Sequence, residues 1–119
     1  MKFMVSLITD GTMMEGATPE EMKESGEKMM AFMGEIQEAG VLSDPGAALG
    51  PASSARTLRR KSGKLVITDG PFAESKEQTA GYMVLACQDL DEAVGWAEKL
   101  PVQGGAIEVR PIAERPGQR

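Results

Sequence analysis

From Lys2 to Thr9 the apolar positions fall on both sides of an alternating pattern, with Phe3, Val5 and Leu7 on one face and Met4 and Ile8 on the other. That is a strand covered on two faces. Thr18-Pro19-Glu20-Glu21 then opens a helix, with Thr18 as N-cap, Pro19 at the first helical position and Glu21 placed to close a capping box. Met22, Met29, Met33 and Ile36 recur at helical spacing up to about Ala39, and Gly40 is the expected stop. Residues 41–54 are rich in Gly, Pro and Ala and read as a loop, with an extended stretch near Leu49. Residues 56–60 and 64–68 read as strands joined by Ser62-Gly63, a pair that suits a hairpin turn. A further two-faced strand runs from Gly81 to Cys87, with Tyr82, Val84 and Ala86 opposite Met83, Leu85 and Cys87. Asp89-Leu90-Asp91-Glu92 repeats the capping logic for a second helix with a stripe of Leu90, Ala93, Val94, Ala97 and Leu100, stopped by Pro101. Residues 106–112 form the last strand, and the tail after Glu114 is expected to be loose.

Strand-helix-strand followed by strand-helix-strand predicts an α+β fold of the ferredoxin-like split βαβ kind: an antiparallel sheet with two helices on one face. Right-handed crossovers put the first strand beside residues 81–87 at the centre. The flanking strands are expected to be the Arg-rich segment 56–60 and the segment carrying Glu108 and Arg110. Two helices cover one face only, so the other apolar face calls for a second copy. The expectation is a homodimer with sheets packed face to face; the competing expectation is that residues 41–54 fold back over that face.

Composition narrows the chemistry. The 119 residues fit one domain, taken as residues 1–114 with 115–119 as tail, large enough to bury roughly two-thirds of its unfolded surface. A net charge of -5 disfavours nucleic acid as a partner, because affinity for phosphate backbones rests on Lys and Arg. No apolar run approaches the roughly 20 residues that span a bilayer, and the beginning lacks a signal-peptide pattern, so a cytoplasmic location without membrane attachment is expected. The lone Cys87 agrees with a reducing compartment.

The chain has no histidine. Histidine-based triads, imidazole zinc sites and histidine acid/base catalysis are thereby excluded within one chain, and Asp, Glu, Lys or Tyr must carry any proton transfer. A carboxylate-only magnesium site stays open, but no EF-hand spacing and no phosphate-binding glycine pattern occurs, and neither a metal nor a cofactor is assigned. The nine methionines read mainly as adaptable core filling, with Met13 and Met14 the candidates for a pocket lid. Cys87 reads as a small buried hydrophobe.

The densest chemistry lies in Thr68-Asp69-Gly70-Pro71-Phe72-Ala73-Glu74-Ser75-Lys76-Glu77, three acids and one base after a strand. Asp69 is a site acid at a strand end, an Asx-turn residue accepting N–H groups of Phe72 or Ala73, which is compatible with the first role, or simply a solvated carboxylate. Glu74, Lys76 and Glu77 form a solvated face or a polar rim over a pocket. Pro71 fixes the turn and Phe72 is expected to anchor the loop in the core. Tyr82 is a core residue or a cleft donor. Arg56, Arg59, Arg60 and Lys61 protect an edge strand or hold a small anion.

The run TDGPFAESKEQTAGYM closely resembles the signature of the DGPF (DGPFAETKE) group of YCII-related proteins, with Ser75 where that group usually has Thr. Thr57-Leu58-Arg59, Asp89-Leu90-Asp91-Glu92-Ala93 with Trp96-Ala97, and residues 104–111 extend the resemblance over nearly the whole chain. It implies a dimeric α+β barrel of ferredoxin-like subunits, bacterial and mostly of unassigned activity. In the wider family a His and an Asp form the suggested site beside the dimer interface. Without a His only the acid can be carried over, and Asp69 is its candidate.

Two functions follow as expectations. One is a carboxylate-based acid/base enzyme using Asp69, with Arg59, Glu74, Lys76 and Tyr82 holding a small molecule. The other is a ligand-binding or regulatory module without turnover, which the DGPF group's association with extracytoplasmic-function sigma factors would suit. A plainer third is an assembly partner whose task is its dimer surface.

Overall fold

A computed structural model describes residues 1–12 and 15–115. Met13, Met14 and the tail from residue 116 therefore lie outside the described residues, and with them the expected lid and most of the loose end.

The elements are β1 (Lys2–Thr9), α1 (Pro19–Glu38), β2 (Leu42–Ala48), β3 (Arg56–Lys61), β4 (Lys64–Asp69), β5 (Gln78–Ala86), α2 (Leu90–Ala97) and β6 (Ala106–Pro111). The main sheet is antiparallel in the order β2-β5-β1-β6, which matches a ferredoxin-like α+β fold with two helices. β1 and β5 sit at the centre as their two-faced pattern predicts, with Phe3 opposite Leu85 and Val5 opposite Met83. Both helix starts follow the sequence. The Thr18 hydroxyl accepts the Glu21 N–H and Glu21 accepts the Thr18 N–H in return. Asp89 accepts from Glu92, but the Glu92 carboxylate reaches one residue further back, to the Gln88 N–H at 3.0 Å.

The core lies between the helices and one face of the sheet: Phe3, Val5, Met83, Leu85 and Cys87 meet Phe32, Ile36, Val41, Ala93, Ala97 and Leu100. Ile36 is buried with Met29 and Met33 packed against the core, as the α1 spacing predicts, but Phe32 joins them while Met22 is 50% exposed; Leu90 and Val94 of the expected α2 stripe stay exposed while Trp96 packs against the core. A continuous stripe read from sequence assumes a straight docking line; each helix instead touches a twisted sheet over a few residues only.

Two expectations are corrected. Residues 41–54 do not form a loop: Leu42–Ala48 is the edge strand on β5, and the Val41 carbonyl and Leu49 N–H extend that pairing at 2.7 Å each. The strand is hidden in sequence by Asp44-Pro45-Gly46, which makes a bulge where Asp44 accepts the Gly46 N–H at 2.7 Å. Gly46 has φ +68, and a Cβ there would collide with the Tyr82 carbonyl, so glycine is required. Leu42–Ala48 extends the sheet at its edge and does not fold across its face.

The Arg-rich strand, in turn, is not part of the main sheet. β3 and β4 pair only with each other, through a two-residue turn with Ser62 at φ 50 and Gly63 at φ 78, the type I′ geometry expected of that pair. Arg56 and Arg60 point to one side of this hairpin and Arg59 and Lys61 to the other, so neither side can enter a core of the same chain. The molecule is a slab of 49 × 47 × 18 Å with a radius of gyration of 16.7 Å, against about 13.5 Å for a compact chain of this length. The depth is that of one sheet and one helix layer. The hairpin adds breadth, and the sheet face away from the helices is left without a covering layer.

Candidate functional site

β1 ends at Thr9, and the next three residues make a tight polar turn. The Thr12 N–H and hydroxyl both donate to Oδ1 of Asp10, the former at 2.9 Å, while the Gly11 N–H donates to the Thr9 hydroxyl at 3.2 Å. Gly11 has φ +87, a conformation that lets the chain turn without strain. Because both Thr12 donors end on Oδ1, Oδ2 of Asp10 is left for another partner. The Thr12 hydroxyl first, then its amide, with a smaller attraction from Lys76, hold the Asp10 carboxyl below its ordinary 3.8.

Lys76 comes to this turn from the acidic loop, and the loop is braced to put it there. The Gln78 amide donates to the carbonyls of Ala73 and Ser75 at 2.7 and 2.8 Å, and the Ser75 hydroxyl accepts the Glu77 N–H at 3.1 Å. On the hairpin side Arg59 donates to the Phe72 carbonyl at 3.3 Å and lies 4.6 Å above the Phe72 ring. The Gly70 N–H donates to the Ala55 carbonyl at 2.7 Å, and the Thr57 hydroxyl donates to the Gly70 carbonyl at 2.9 Å.

Three adjoining hollows open at this end of the sheet. One, lined by Asp10, Thr12, Lys76, Glu77, Gln103 and Gly104, encloses about 680 Å³. The next, about 300 Å³, is largely apolar, with Leu7, Ile8, Ala80, Val102 and Ala106 around the Ser25 hydroxyl. Val102 and Ser25 carry it into a third, of about 230 Å³, along α1. The shared residues make them one trough, with an apolar floor and a carboxylate and an ammonium at its mouth. Gly105 shapes the rim: it has φ +72, and a side chain there would strike the Ile8 carbonyl.

The residues marked by sequence divide. Lys76 lines the trough, with Glu77. Arg59 braces the loop and does not face a hollow described above. Tyr82 is half-buried on the helix-free face of the sheet, opposite Ser6 of β1. Glu74 is exposed. Asp69 has a side chain 91% exposed, 3.5 Å from Arg56, and lines none of the three hollows. No Asx bond joins it to Phe72 or Ala73; Gly70 supplies the bonds that hold the turn. Phe72 is 71% exposed, which corrects its expected place in the core: its ring lies against Arg59 on the hairpin instead. Sequence reading missed Asp10, Thr12 and Gln78. Thr9-Asp10-Gly11-Thr12 is a strand-ending Asx-turn signature and could have flagged the first two.

Among the described residues no group of three or more potential metal ligands gathers. Cys87 is buried, and burial with the nearby Glu92 pushes its thiol up, away from nucleophilic use. No helix among the described residues is long and apolar enough to cross a membrane.

Residues 1–115 match the YCII-related domain. An uncharacterized protein of Rhizobium meliloti (strain 1021) is 40% identical over 112 residues, covering 87% of this chain and 90% of that protein. With a match that takes in both the trough and the hairpin, the chain belongs to the YCII-related family.

Proposed function

We propose that the chain is a DGPF-group member that binds a small molecule in the trough at the end of β1 and the start of β5, working as a homodimer in which each helix-free sheet face is covered by the partner. The observation that carries the binding reading is that Asp10 and Lys76 line one hollow that adjoins an apolar one. Such a site suits a molecule with an apolar body and a polar end that both donates and accepts hydrogen bonds.

Binding is favoured over proton transfer by the carboxylate itself. A general acid or base works best with a pKa near the operating pH, and the Thr12 donors move Asp10 the other way. Asp10 is therefore a fixed anion, with Oδ2 accepting from the ligand and Lys76 pairing with any acidic group. Ser25 and Gln103 supply further polar contacts. The homodimer is supported by the uncovered sheet face, where Met4, Ile8, Tyr82 and Val84 are only half-buried. A free, buried Cys87 suits a reducing cytoplasm.

The test is a two-dimensional NMR titration of the labelled chain with short aliphatic amino acids and with diols of equal length. Amino acids are expected to shift the amides of Thr9, Gly11, Lys76 and Gly104, and Lys76→Ala or Asp10→Asn should abolish the response. Shifts confined to the hairpin, or none with either class at millimolar concentration, would contradict the assignment.

A further inference from the structure

The β3–β4 hairpin is an arm with nothing of its own chain beneath it. Its principal contacts are between its two strands, and an isolated two-stranded hairpin is marginal in water. Residues paired across the ladder share a side, so Leu58, Leu65 and Ile67 stand together with Arg60 and the Arg56–Asp69 pair on one face. Leu58 and Ile67 are 56% and 58% exposed. The opposite face carries Arg59, Lys61, Lys64 and the Phe72 ring. One face is thus apolar with a charged border, while the other sets Val66 among charged and hydroxyl side chains.

Charge says what can cover the apolar face. Arg56, Arg59, Arg60, Lys61 and Lys64 against Asp69 give the arm a net charge of +4, so the rest of a chain of net -5 carries -9. Two arms packed on each other would bring +4 against +4; an arm on another copy's body brings opposite charges together. That body offers an apolar surface without a covering layer, the helix-free face with Met4, Ile8, Tyr82 and Val84, bordered by the Glu108–Arg110 ion pair at 2.8 Å. An isologous pair repeats the contact twice, once for each arm.

We infer that the apolar face of the β3–β4 arm packs on the helix-free sheet face of a second copy, so that each subunit is clasped by its partner's arm. This rests on the homodimer reading above and says which element holds it. It also gives Asp69 and its Arg56 partner a place: solvated in one chain, they are carried onto the partner's sheet beside Tyr82. The arm and the acidic loop are continuous through Gly70 and Phe72, and Arg59 ties them together. Docking of the arm is thereby linked mechanically to the loop that presents Lys76.

Photocrosslinking of the full chain tests this. Ile67→p-benzoylphenylalanine in an unlabelled chain, mixed with nitrogen-15-labelled chain, is expected to give mixed-isotope adducts on β1 or β5 of the labelled copy, at or beside Met4, Ile8, Tyr82 or Val84. A dimer that gives no such adduct overturns the arm contact and leaves the dimer standing; a monomer by sedimentation at millimolar concentration overturns both. A folded but monomeric photoreactive variant beside a dimeric parent supports the arm contact. As a second arm, the double variant Leu58→Glu/Ile67→Glu, which changes only exposed residues, should keep its circular dichroism and raise the dimer dissociation constant about 100-fold or more. An unchanged dissociation constant in the folded double variant would overturn the inference.

Discussion

Phe3 of β1 stands opposite Leu85 of β5, and Leu58 of β3 stands opposite Ile67 of β4. Both are apolar pairs across an antiparallel ladder, yet Phe3 and Leu85 are sealed beneath two helices, whereas the hairpin pair is more than half exposed. The ladder is the same in both places, and what differs is the layer behind it. A strand pair is held by what its faces bury far more than by its own hydrogen bonds, so the arm depends on something outside the subunit in a way that the central strands do not.

The sharpest way to break this comparison is to truncate one residue of each pair. Phe3→Ala should cost about 3–5 kcal/mol in urea unfolding, since it removes a fully buried ring. Leu58→Ala should stay within about 0.5 kcal/mol at dilutions where subunits are separate. Equal losses would mean that the arm has a core within the chain. Turn glycines carry the contrast further. Gly105→Ala places a methyl against the Ile8 carbonyl at positive φ and should cost about 2 kcal/mol or more, whereas Gly63→Ala at the arm's tip, with open space around it, should cost about 1 kcal/mol for its backbone conformation alone. Thermal melts would separate the two.

How much of this was legible in the sequence depended on whether the signal was local. The capping box at Thr18, the Asp89 N-cap, the Ser62-Gly63 turn and the two-faced strands β1 and β5 are written in a few neighbouring residues each, and all are present. The edge strand β2 was hidden because Pro45-Gly46 interrupts its alternation and is accommodated only by the bulge against Tyr82. Its loss from the reading pushed the Arg-rich hairpin into the sheet in its place. The site divided in the same way. Lys76 was found through its dense charged motif, but Asp10 lies 66 positions earlier and lines the same hollow only because β1 and β5 are adjacent. Phe72 was assigned to the core as aromatics usually are; the Arg59 guanidinium that receives it is placed by the hairpin register.

Smaller effects refine the contrast. Thr18→Ala should cost about 1 kcal/mol, a cap lost from a helix that the sheet body holds in place. Thr12→Val should move the Asp10 titration midpoint back up toward 3.8, seen by carboxyl-carbon NMR. The sign follows from the direction of the shift. A carboxyl held lower when folded contributes stability above its unfolded value, and that contribution is lost as pH falls through the folded one. The variant keeps the residue-12 amide donor, so it should weaken this acid-side dependence and leave the arm's behaviour unchanged.

The most direct test of the central claim, that a second copy provides the arm's missing layer, is amide hydrogen exchange of β3 and β4 as a function of protein concentration. Slow exchange of the ladder amides at high concentration that becomes fast on dilution, while β1 and β5 stay protected throughout, is the predicted result. Arm amides that exchange at the same rate at every concentration would contradict it.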